Sequence, residues 1–174
     1  MLRDSELEVH RQFEEIREAA LEREQKDFSL NVATADCNRA KNRYTDILPY
    51  DHTRDLATLP DDYINANYIK GLDREREFIA SQGPIQGTID DHWRMIYQHK
   101  VTLILTLTQC QEGMKRKSER YWPEIVGQCE TYDEIKVFLE SESEMGSYTV
   151  RKMSVTCSTD RSVLLFVIIW DIEE

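Results

Sequence analysis

The chain has 174 residues, a formal net charge of -11 and a pI of about 4.9; 40% of its residues are hydrophobic and 32% are charged. This composition predicts one globular domain with a buried core and excludes an intrinsically disordered chain. The acidic balance argues against nucleic acid as a partner, because phosphate backbones are bound by basic surfaces.

The four cysteines and four histidines show neither metal-ligand spacing nor a disulfide framework. No C-x-x-C pair occurs, so we predict free thiols in a reducing compartment. No cofactor and no bound metal are expected. We recognise no signal peptide, and the apolar run at residues 162–170 is far below the ~20 residues that span a bilayer as a helix.

The first predicted element is a helix over residues 4–26. Ser5 and Glu8 form a capping box at its start. The apolar side chains that follow share one face and predict a helix that packs on one side only: Val9, Phe13, Ile16 and Ala20. Residues 27–43 show no period and predict an extended connector that ends in the basic cluster RAKNR.

Residues 44–85 are rich in turn signals and contain two short β-like pieces, YINANYI and EFIA. A second helix is predicted over residues 88–98, with Thr88 and Asp91 as its N-terminal cap. Its buried stripe consists of Ile89, Trp93 and Ile96.

Four further segments predict strands: residues 101–108, 134–141, 148–157 and 162–170. The second and third alternate polar and apolar residues, so each is expected to have one wet face. The last does not alternate, so we expect it to be covered on both faces. Helices mixed with both kinds of strand predict a single α/β or α+β domain.

The stretch TLTQCQEGMKR, residues 106–116, has the spacing of a cysteine-dependent phosphatase site. Five residues separate Cys110 from Arg116. In such enzymes the loop N–H groups surround phosphate, the thiolate attacks phosphorus and the arginine binds two phosphate oxygens.

Several long stretches, in order along the chain, resemble the classical protein tyrosine phosphatase domain. They are KNRYTDILPYDHTR (41–54), DYINANYIKG (62–71), FIASQGPIQGTIDDHWRMIY (78–97) and RYWPE (120–124). The resemblance runs from about residue 39 to 166 and is greatest to the cytosolic catalytic domains of receptor-type members. It implies a twisted mixed sheet flanked by helices, and phosphotyrosine dephosphorylation in intact relatives.

The resemblance assigns QEGMKR to a loop other than the phosphate loop. In the family, a glutamate, then a lysine, then Tyr-Trp-Pro follow a strand; here these are Glu112, Lys117 and residues 121–123. The family's phosphate loop has a histidine before its cysteine, whereas Gln109 precedes Cys110. We therefore interpret the cysteine–arginine spacing as a coincidence.

The resemblance also implies that the family's catalytic elements are missing from this chain. The cysteine signature lies well downstream of Tyr-Trp-Pro, and the general-acid loop, Trp-Pro-Asp, would begin near residue 171. Here Trp170 is followed directly by Asp171, which we expect to belong to an altered chain end. We expect an incomplete fold, truncated before the catalytic loop, without nucleophile or phosphate-binding arginine and inactive alone.

What remains, by resemblance, is substrate recognition. Tyr44 would form a wall of the phosphotyrosine pocket, where its ring stacks on the substrate ring. Asp46 would accept hydrogen bonds from the substrate backbone. Arg43 and Lys41 would supply local positive charge in an acidic chain.

Glu112 and Lys117 would be the vestiges of an active-site loop. In the family this glutamate pairs with the missing arginine, so we expect Glu112 to lack its partner, with Lys117 beside the missing acid loop. The strand at residues 162–170 would also lose a neighbour. We expect it to present an unpaired apolar edge and to make the isolated chain unstable or self-associating.

We divide the chain into an N-terminal helix and connector (1–38) and a truncated phosphatase-like domain (39–174). Alternatives are a pseudo-phosphatase module that binds phosphotyrosine peptides or another phosphatase domain, and an incomplete gene model of an active receptor-type phosphatase. The expected partners are phosphotyrosine proteins, bound weakly. The expected location is the cytoplasm, on the cytosolic side of a membrane if the parent is receptor-type.

Overall fold

The computed structural model describes residues 8–19, 28–54 and 63–159 completely, and residues 163–172 by their backbone. Three stretches of these residues are α-helical: 8–19 (α1), Asn31–Thr34 (α2) and Ile89–Gln98 (α3). Two short 3-10 helices are also present, Arg39–Lys41 and Gln86–Thr88.

The described residues form nine strands. In chain order they are β1 (Ala66–Ile69), β2 (Phe78–Ser81), β3 (Leu103–Thr106), β4 (Gln111–Glu112), β5 (Lys115–Arg116), β6 (Cys129–Tyr132), β7 (Ile135–Glu144), β8 (Tyr148–Cys157) and β9 (Val163–Ile172). All four strands predicted after residue 100 are present, with β3 shorter and β7 longer than expected.

Five strands form one mixed sheet, in the order β3-β9-β8-β7-β6. β3 and β9 run parallel, whereas the other neighbours are antiparallel. β1 and β2 form a separate antiparallel pair, and β4 and β5 form a short hairpin. This combination of helices with a mixed sheet confirms the predicted α/β class.

Helix α3 covers one face of the mixed sheet. Its predicted stripe of Ile89, Trp93 and Ile96 is buried, with Trp93 at 0% exposure. It packs in one cluster with inward side chains of β7 and β8: Ile135, Val137, Leu139, Met153 and Val155. Trp93 Nε1 also donates a hydrogen bond of 2.6 Å to the backbone oxygen of Tyr121, which ties the Tyr-Trp-Pro segment to the helix.

The predicted wet face of β7 and β8 is also present. Buried and more exposed residues alternate along both strands, and the pairing shifts register between Leu139 and Ser141. The alternation therefore identified which side chains enter the core.

The expectation of an unpaired edge on the last strand was wrong. β9 lies inside the sheet, where β3 pairs with it on one side and β8 on the other. Among the described strands, β3 and β6 stand at the two ends of this sheet. The prediction that this strand is covered on both faces depends on its side chains, which lie outside the described part of the structure.

The expected packing of the N-terminal helix was also wrong for the part that is described. Residues 8–19 are helical, but Val9, Phe13 and Ile16 are 59–70% exposed. An apolar stripe identifies the face that is able to pack and does not supply a surface to cover it. Ser5 and Ala20, named in the same prediction, lie outside the described residues.

Two local predictions need correction. The segment predicted as an extended connector contains α2 and the 3-10 helix Arg39–Lys41. Thr88 precedes α3 but makes no side-chain cap, because its hydroxyl bonds back to Ile85, accepting from the backbone nitrogen at 3.1 Å. No helix among the described residues is long and apolar enough to cross a membrane.

Candidate functional site

Tyr44 and Asp46 lie on an irregular loop that follows the 3-10 helix Arg39–Lys41. Both side chains are exposed, as is their neighbour Ile47. A ring and a carboxylate two residues apart are thus accessible to a peptide on the surface. We call residues 43–47 the recognition loop.

Arg43 anchors this loop to two other segments. Its guanidinium donates to three backbone oxygens, those of Gly83 (3.2 Å), Pro84 (2.7 Å) and Arg116 (3.1 Å). Its own backbone N–H donates to Gln82 Oε1 at 2.9 Å. The guanidinium is therefore engaged inside the protein, and its predicted contact with substrate stays a prediction.

Side-chain amides hold the recognition loop from its two ends. Gln82 Nε2 donates to the backbone oxygen of Lys41 at 2.8 Å. Asn65 Nδ2 donates to the backbone oxygen of Ile47 at 3.0 Å and to Asn42 Oδ1 at 3.0 Å. Through these bonds the amides of Asn65 and Gln82 satisfy backbone oxygens at the two ends of the loop.

Asn42 is the partly buried centre of this network. Its Oδ1 also accepts from the hydroxyl of Tyr63, and its Nδ2 donates to the backbone oxygen of Ala33 at 3.1 Å. Burial raises the pKa of Tyr63, since the phenolate would lose its hydration. The tyrosine therefore stays protonated and remains a hydrogen-bond donor to Asn42.

Lys41 does not contribute a free positive charge. Its Nζ lies 2.9 Å from Asp91 Oδ2, with only 15% and 13% of the two side chains exposed. Asp91 also pairs with Arg94 of the same helix. This largely buried ion pair joins the base of the recognition loop to α3 and neutralises the charge expected at Lys41.

Gly83 permits the close contact between SQGP and the end of the β4–β5 hairpin. A Cβ at this position would lie 2.4 Å from the backbone oxygen of Lys117 and 2.9 Å from Ser118 Cβ. Backbone cannot give way as a flexible side chain can, so the site requires glycine. The recognition loop, SQGP and the hairpin thus form one assembly.

Glu112 and Lys117 are brought together on the β4–β5 hairpin. Glu112 Oε2 lies 3.3 Å from Lys117 Nζ, and both side chains are partly exposed. Gly113 enables the turn between the strands with a φ of +58°. The hairpin folds Lys117 back onto Glu112, so this glutamate pairs with a lysine of its own hairpin. The expected loss of the family's arginine partner stays a prediction.

Cys110 and Arg116 do not form a phosphate cradle. Their stretch is an antiparallel hairpin in which Gln111 pairs with Arg116, and the oxygen of Cys110 accepts from the N–H groups of Lys117 and Ser118. A cradle needs N–H groups converging on an anion, whereas here they bond within the hairpin. The hairpin favours the interpretation of the spacing as a coincidence, which stays a prediction.

The remaining cysteines and Asp171 are not arranged for phosphate chemistry. None of the four cysteines forms a disulfide; Cys37 and Cys129 are exposed, and Cys157 is buried. Asp171 lies in β9, at register positions beside Thr106 and Thr149. Among the residues that the structure describes, no cluster of three or more potential ligands forms a metal site.

His92 is a structural histidine in the core. Its ring packs edge-on against Tyr121 at 4.8 Å between centroids, and burial lowers its pKa to about 4. Desolvation has this effect because the charged imidazolium loses its hydration. Its Nε2 has no hydrogen-bond partner within the described part of the chain. The ring is therefore neutral near pH 7.

Sequence reasoning missed the residues that position the recognition loop. Asn42, Gly83 and Asp91 contact groups that lie far away in sequence, and no local pattern marks them. Arg43 was predicted, but for contact with substrate. Its position immediately before an exposed Tyr was the one available signal that the loop needs an anchor.

A comparison with known proteins identifies the family of this domain. A family model described as protein-tyrosine phosphatase matches residues 38–171. The chain therefore belongs to the protein-tyrosine phosphatase family, as the sequence motifs indicated.

Similar curated proteins are receptor-type tyrosine phosphatases. The chain is 39% identical over 156 residues to the receptor-type tyrosine-protein phosphatase eta of Gallus gallus, which covers 87% of the chain and 11% of that protein. It is 37% identical over 140 residues to the receptor-type tyrosine-protein phosphatase C of Mus musculus, a match that covers 78% of the chain and 11% of that protein. It is 41% identical over 132 residues to type alpha of Homo sapiens, covering 73% and 16%. The chain thus spans only a small part of the length of these relatives.

Proposed function

We propose that this chain supplies the phosphotyrosine-recognition part of a protein-tyrosine phosphatase domain. The observation that carries the proposal is the anchored recognition loop, in which Tyr44 and Asp46 are exposed while Arg43 is bonded to three backbone oxygens. A preordered loop loses little entropy on binding. Tyr44 stacks on the substrate ring, and Asp46 accepts from the peptide backbone.

We further propose that these 174 residues do not hydrolyse phosphotyrosine by themselves, because they form an incomplete catalytic unit. Hydrolysis in this family requires a thiolate within a phosphate cradle and a general acid. Cys110 lies on a hairpin, its backbone oxygen accepting two hydrogen bonds from that hairpin, and Asp171 lies in a strand. Glu112 and Lys117 pair with each other and leave no charge for a phosphate clamp.

Affinity for phosphotyrosine peptides is expected to be weak. Most binding energy for phosphate comes from converging N–H groups and an arginine, and the guanidinium of Arg43 in the recognition loop is already bonded to three backbone oxygens. We expect a dissociation constant above about 1 µM, equivalent to less than roughly 8 kcal/mol of binding free energy.

We propose a cytosolic location, on the cytosolic side of a membrane if the polypeptide belongs to a receptor-type phosphatase. The receptor-type relatives support this location. Phosphotyrosine-containing proteins are the proposed partners, since the recognition loop offers a ring and a carboxylate to a phosphorylated peptide.

The binding proposal is tested by titrating a fluorescent phosphotyrosine peptide and its unphosphorylated form. Tyr44→Ala and Asp46→Asn should each weaken binding of the phosphorylated peptide. Leu72→Ala, at a residue 93% exposed on another loop, is the control and should change nothing. Equal binding of both peptides, or an unchanged constant for Tyr44→Ala, would refute recognition by this loop.

The catalytic proposal is tested by phosphate release from an aryl phosphate. The purified chain and its Cys110→Ser variant should both match the buffer blank. Turnover that Cys110→Ser abolishes would show that this thiol acts as a nucleophile in spite of its place on the hairpin.

A further inference from the structure

The β4–β5 hairpin and the residues after it carry a local excess of positive charge. Residues 111–120 have a net charge of +2, whereas the whole chain has a net charge of -11. Four basic and two acidic side chains make up this difference: Lys115, Arg116, Lys117 and Arg120, with Glu112 and Glu119. Met114, beside the turn, is fully exposed. We call residues 111–117 the basic hairpin.

Two cations of the basic hairpin are accessible to a ligand. Lys117 and Arg120 are held by carboxylates of the chain itself, at 3.3 Å and 3.0 Å. Lys115 is exposed and forms no ion pair with any residue that the structure describes. Arg116 is 64% exposed and contacts Glu119 through Nη1. A guanidinium has five N–H donors, so others remain for a second carboxylate.

The basic hairpin is joined to the recognition loop at its base. Arg43 Nη1 donates to the backbone oxygen of Arg116, and its Nη2 donates to the backbone oxygen of Pro84. The N–H of Glu119 donates to that same oxygen of Pro84 at 2.8 Å. One side chain therefore bridges the residue before Tyr44 and the hairpin. An extended peptide advances about 3.3 Å per residue, so a residue two to four places from a phosphotyrosine on Tyr44 reaches the hairpin.

We propose that Lys115 and Arg116 bind acidic residues that flank the phosphotyrosine of the substrate peptide. This inference rests on the proposed function, because the same peptide has to dock on the recognition loop. An ammonium group and a guanidinium fork both suit carboxylates. Asp46, the exposed carboxylate of the recognition loop, repels acidic residues. The acidic residues therefore lie on one side of the phosphotyrosine only, the side near the hairpin.

A peptide suits the basic hairpin better than an anionic membrane does. Salt screens charges over about 8 Å at physiological ionic strength, so a short peptide is attracted by the hairpin and is little affected by the rest of the surface. A membrane is wide enough to face much of a chain whose net charge is -11, and the two repel each other. The local excess therefore favours a small acidic ligand.

Titration of three fluorescent phosphotyrosine peptides tests this specificity. One has neutral flanks, one has glutamates two to four places before the phosphotyrosine, and one has them two to four places after it. One acidic peptide should bind about fivefold more tightly than the neutral peptide at low ionic strength. The gain should shrink as salt is added. Equal binding of the three peptides, or the same gain for both acidic peptides, would overturn the proposal.

Charge reversal locates the contact. Lys115→Glu should abolish the gain and transfer the preference to a peptide with lysines at the same places. Arg116→Gln should reduce the gain. Lys136→Glu is the matched control, because it changes the net charge equally at an exposed position of β7, on the sheet face away from α3, and it should leave the gain unchanged. A gain lost equally in Lys136→Glu and Lys115→Glu would refute the hairpin as the site. Circular dichroism establishes that each variant is folded.

Tyr44→Ala separates this inference from the proposed function. Binding of the neutral phosphopeptide that Tyr44→Ala weakens, with no gain from acidic flanks, would refute the role of the basic hairpin and leave the recognition loop in place. Phosphopeptide binding that does not depend on Tyr44 would refute both. Vesicles of phosphatidylcholine and phosphatidylserine should not bind the chain. Vesicle binding that Lys115→Glu abolishes would assign the hairpin to a membrane surface and overturn the proposal.

Discussion

Helices α1 and α3 carry the same kind of apolar stripe, and only the stripe of α3 is covered. Trp93 and its neighbours pack against the mixed sheet, whereas Phe13 and its neighbours in α1 remain mostly exposed. The comparison shows that an apolar stripe at helical spacing does not by itself mean that the stripe is buried. Amphipathicity identifies the apolar face of a helix, but the stabilisation comes from the surface that covers it.

The two helices also differ in their charges. Arg11 of α1 pairs with Glu8 at 2.6 Å and with Glu15, and all three are exposed. Asp91 of α3 pairs with Lys41 and Arg94 in largely buried surroundings. Exposed pairs are screened by water, whereas removal of one partner from a buried pair leaves an uncompensated charge.

The largest difference between the helices is expected on truncating their aromatic residues. Trp93→Ala leaves a cavity in the core and removes a hydrogen bond, so it should reduce the free energy of unfolding by about 3–5 kcal/mol. Phe13→Ala, the matched change in α1, should cost less than about 0.5 kcal/mol. Urea denaturation measures both. A similar loss for the two variants would show that the stripe of α1 is covered after all.

The next effect is expected from the buried ion pair. Asp91→Asn leaves Lys41 without its carboxylate and should destabilise the protein by about 3 kcal/mol. Glu15→Gln, the matched change in α1, should have no measurable effect. Thermal melting compares the two variants with the wild type. Lys41→Met and Arg94→Met combined with Asp91→Leu, which removes all three charges of this cluster, should recover part of the loss. No recovery would mean that the destabilisation does not arise from unpaired charge.

A smaller effect is expected from the histidine buried in α3. The pKa of His92 is lowered from 6.5 to about 4 in the folded protein, so the unfolded chain binds the proton more tightly. Stability is therefore full above pH 6.5 and is lost as the pH falls toward 4, by about 2 kcal/mol at pH 5. His92→Phe should flatten this part of the stability curve. Equal slopes for the wild type and His92→Phe between pH 7 and 5 would contradict the assignment.

The smallest effect is expected from polar substitution of the exposed stripe. Val9→Ser and Ile16→Ser remove apolar surface that is already in water, so each should change the free energy of unfolding by less than about 0.5 kcal/mol. Chemical denaturation detects any larger change. A loss above 1.5 kcal/mol, the lower end of full burial of such a side chain, would reveal a covering surface.

The sequence pattern was sufficient to predict burial and secondary structure where these depend on residues nearby in the chain. The stripe of α3 and the alternation of β7 and β8 follow from periodicity. The pairing of Glu112 with Lys117 also had a signal, since Gly113 marks a tight turn between them.

Long-range placement was not available from the sequence. Lys41 and Asp91 are joined across fifty positions, and nothing in either segment identifies the other. Strand order poses the same difficulty. An apolar strand such as β9 needs two neighbours, but its composition does not say which strands they are, and the expected unpaired edge was therefore wrong.

The insertion of β9 between β3 and β8 has a consequence for synthesis on the ribosome. Within the part of the chain that the structure describes, β3 joins the sheet through β9, which follows on the order of sixty residues later. β6, β7 and β8 are consecutive and are able to assemble as soon as they emerge. Until β9 has been translated and inserted, β3 and its leucines have no place in the sheet. This interval is when the nascent polypeptide is most exposed to misassembly and most dependent on chaperones.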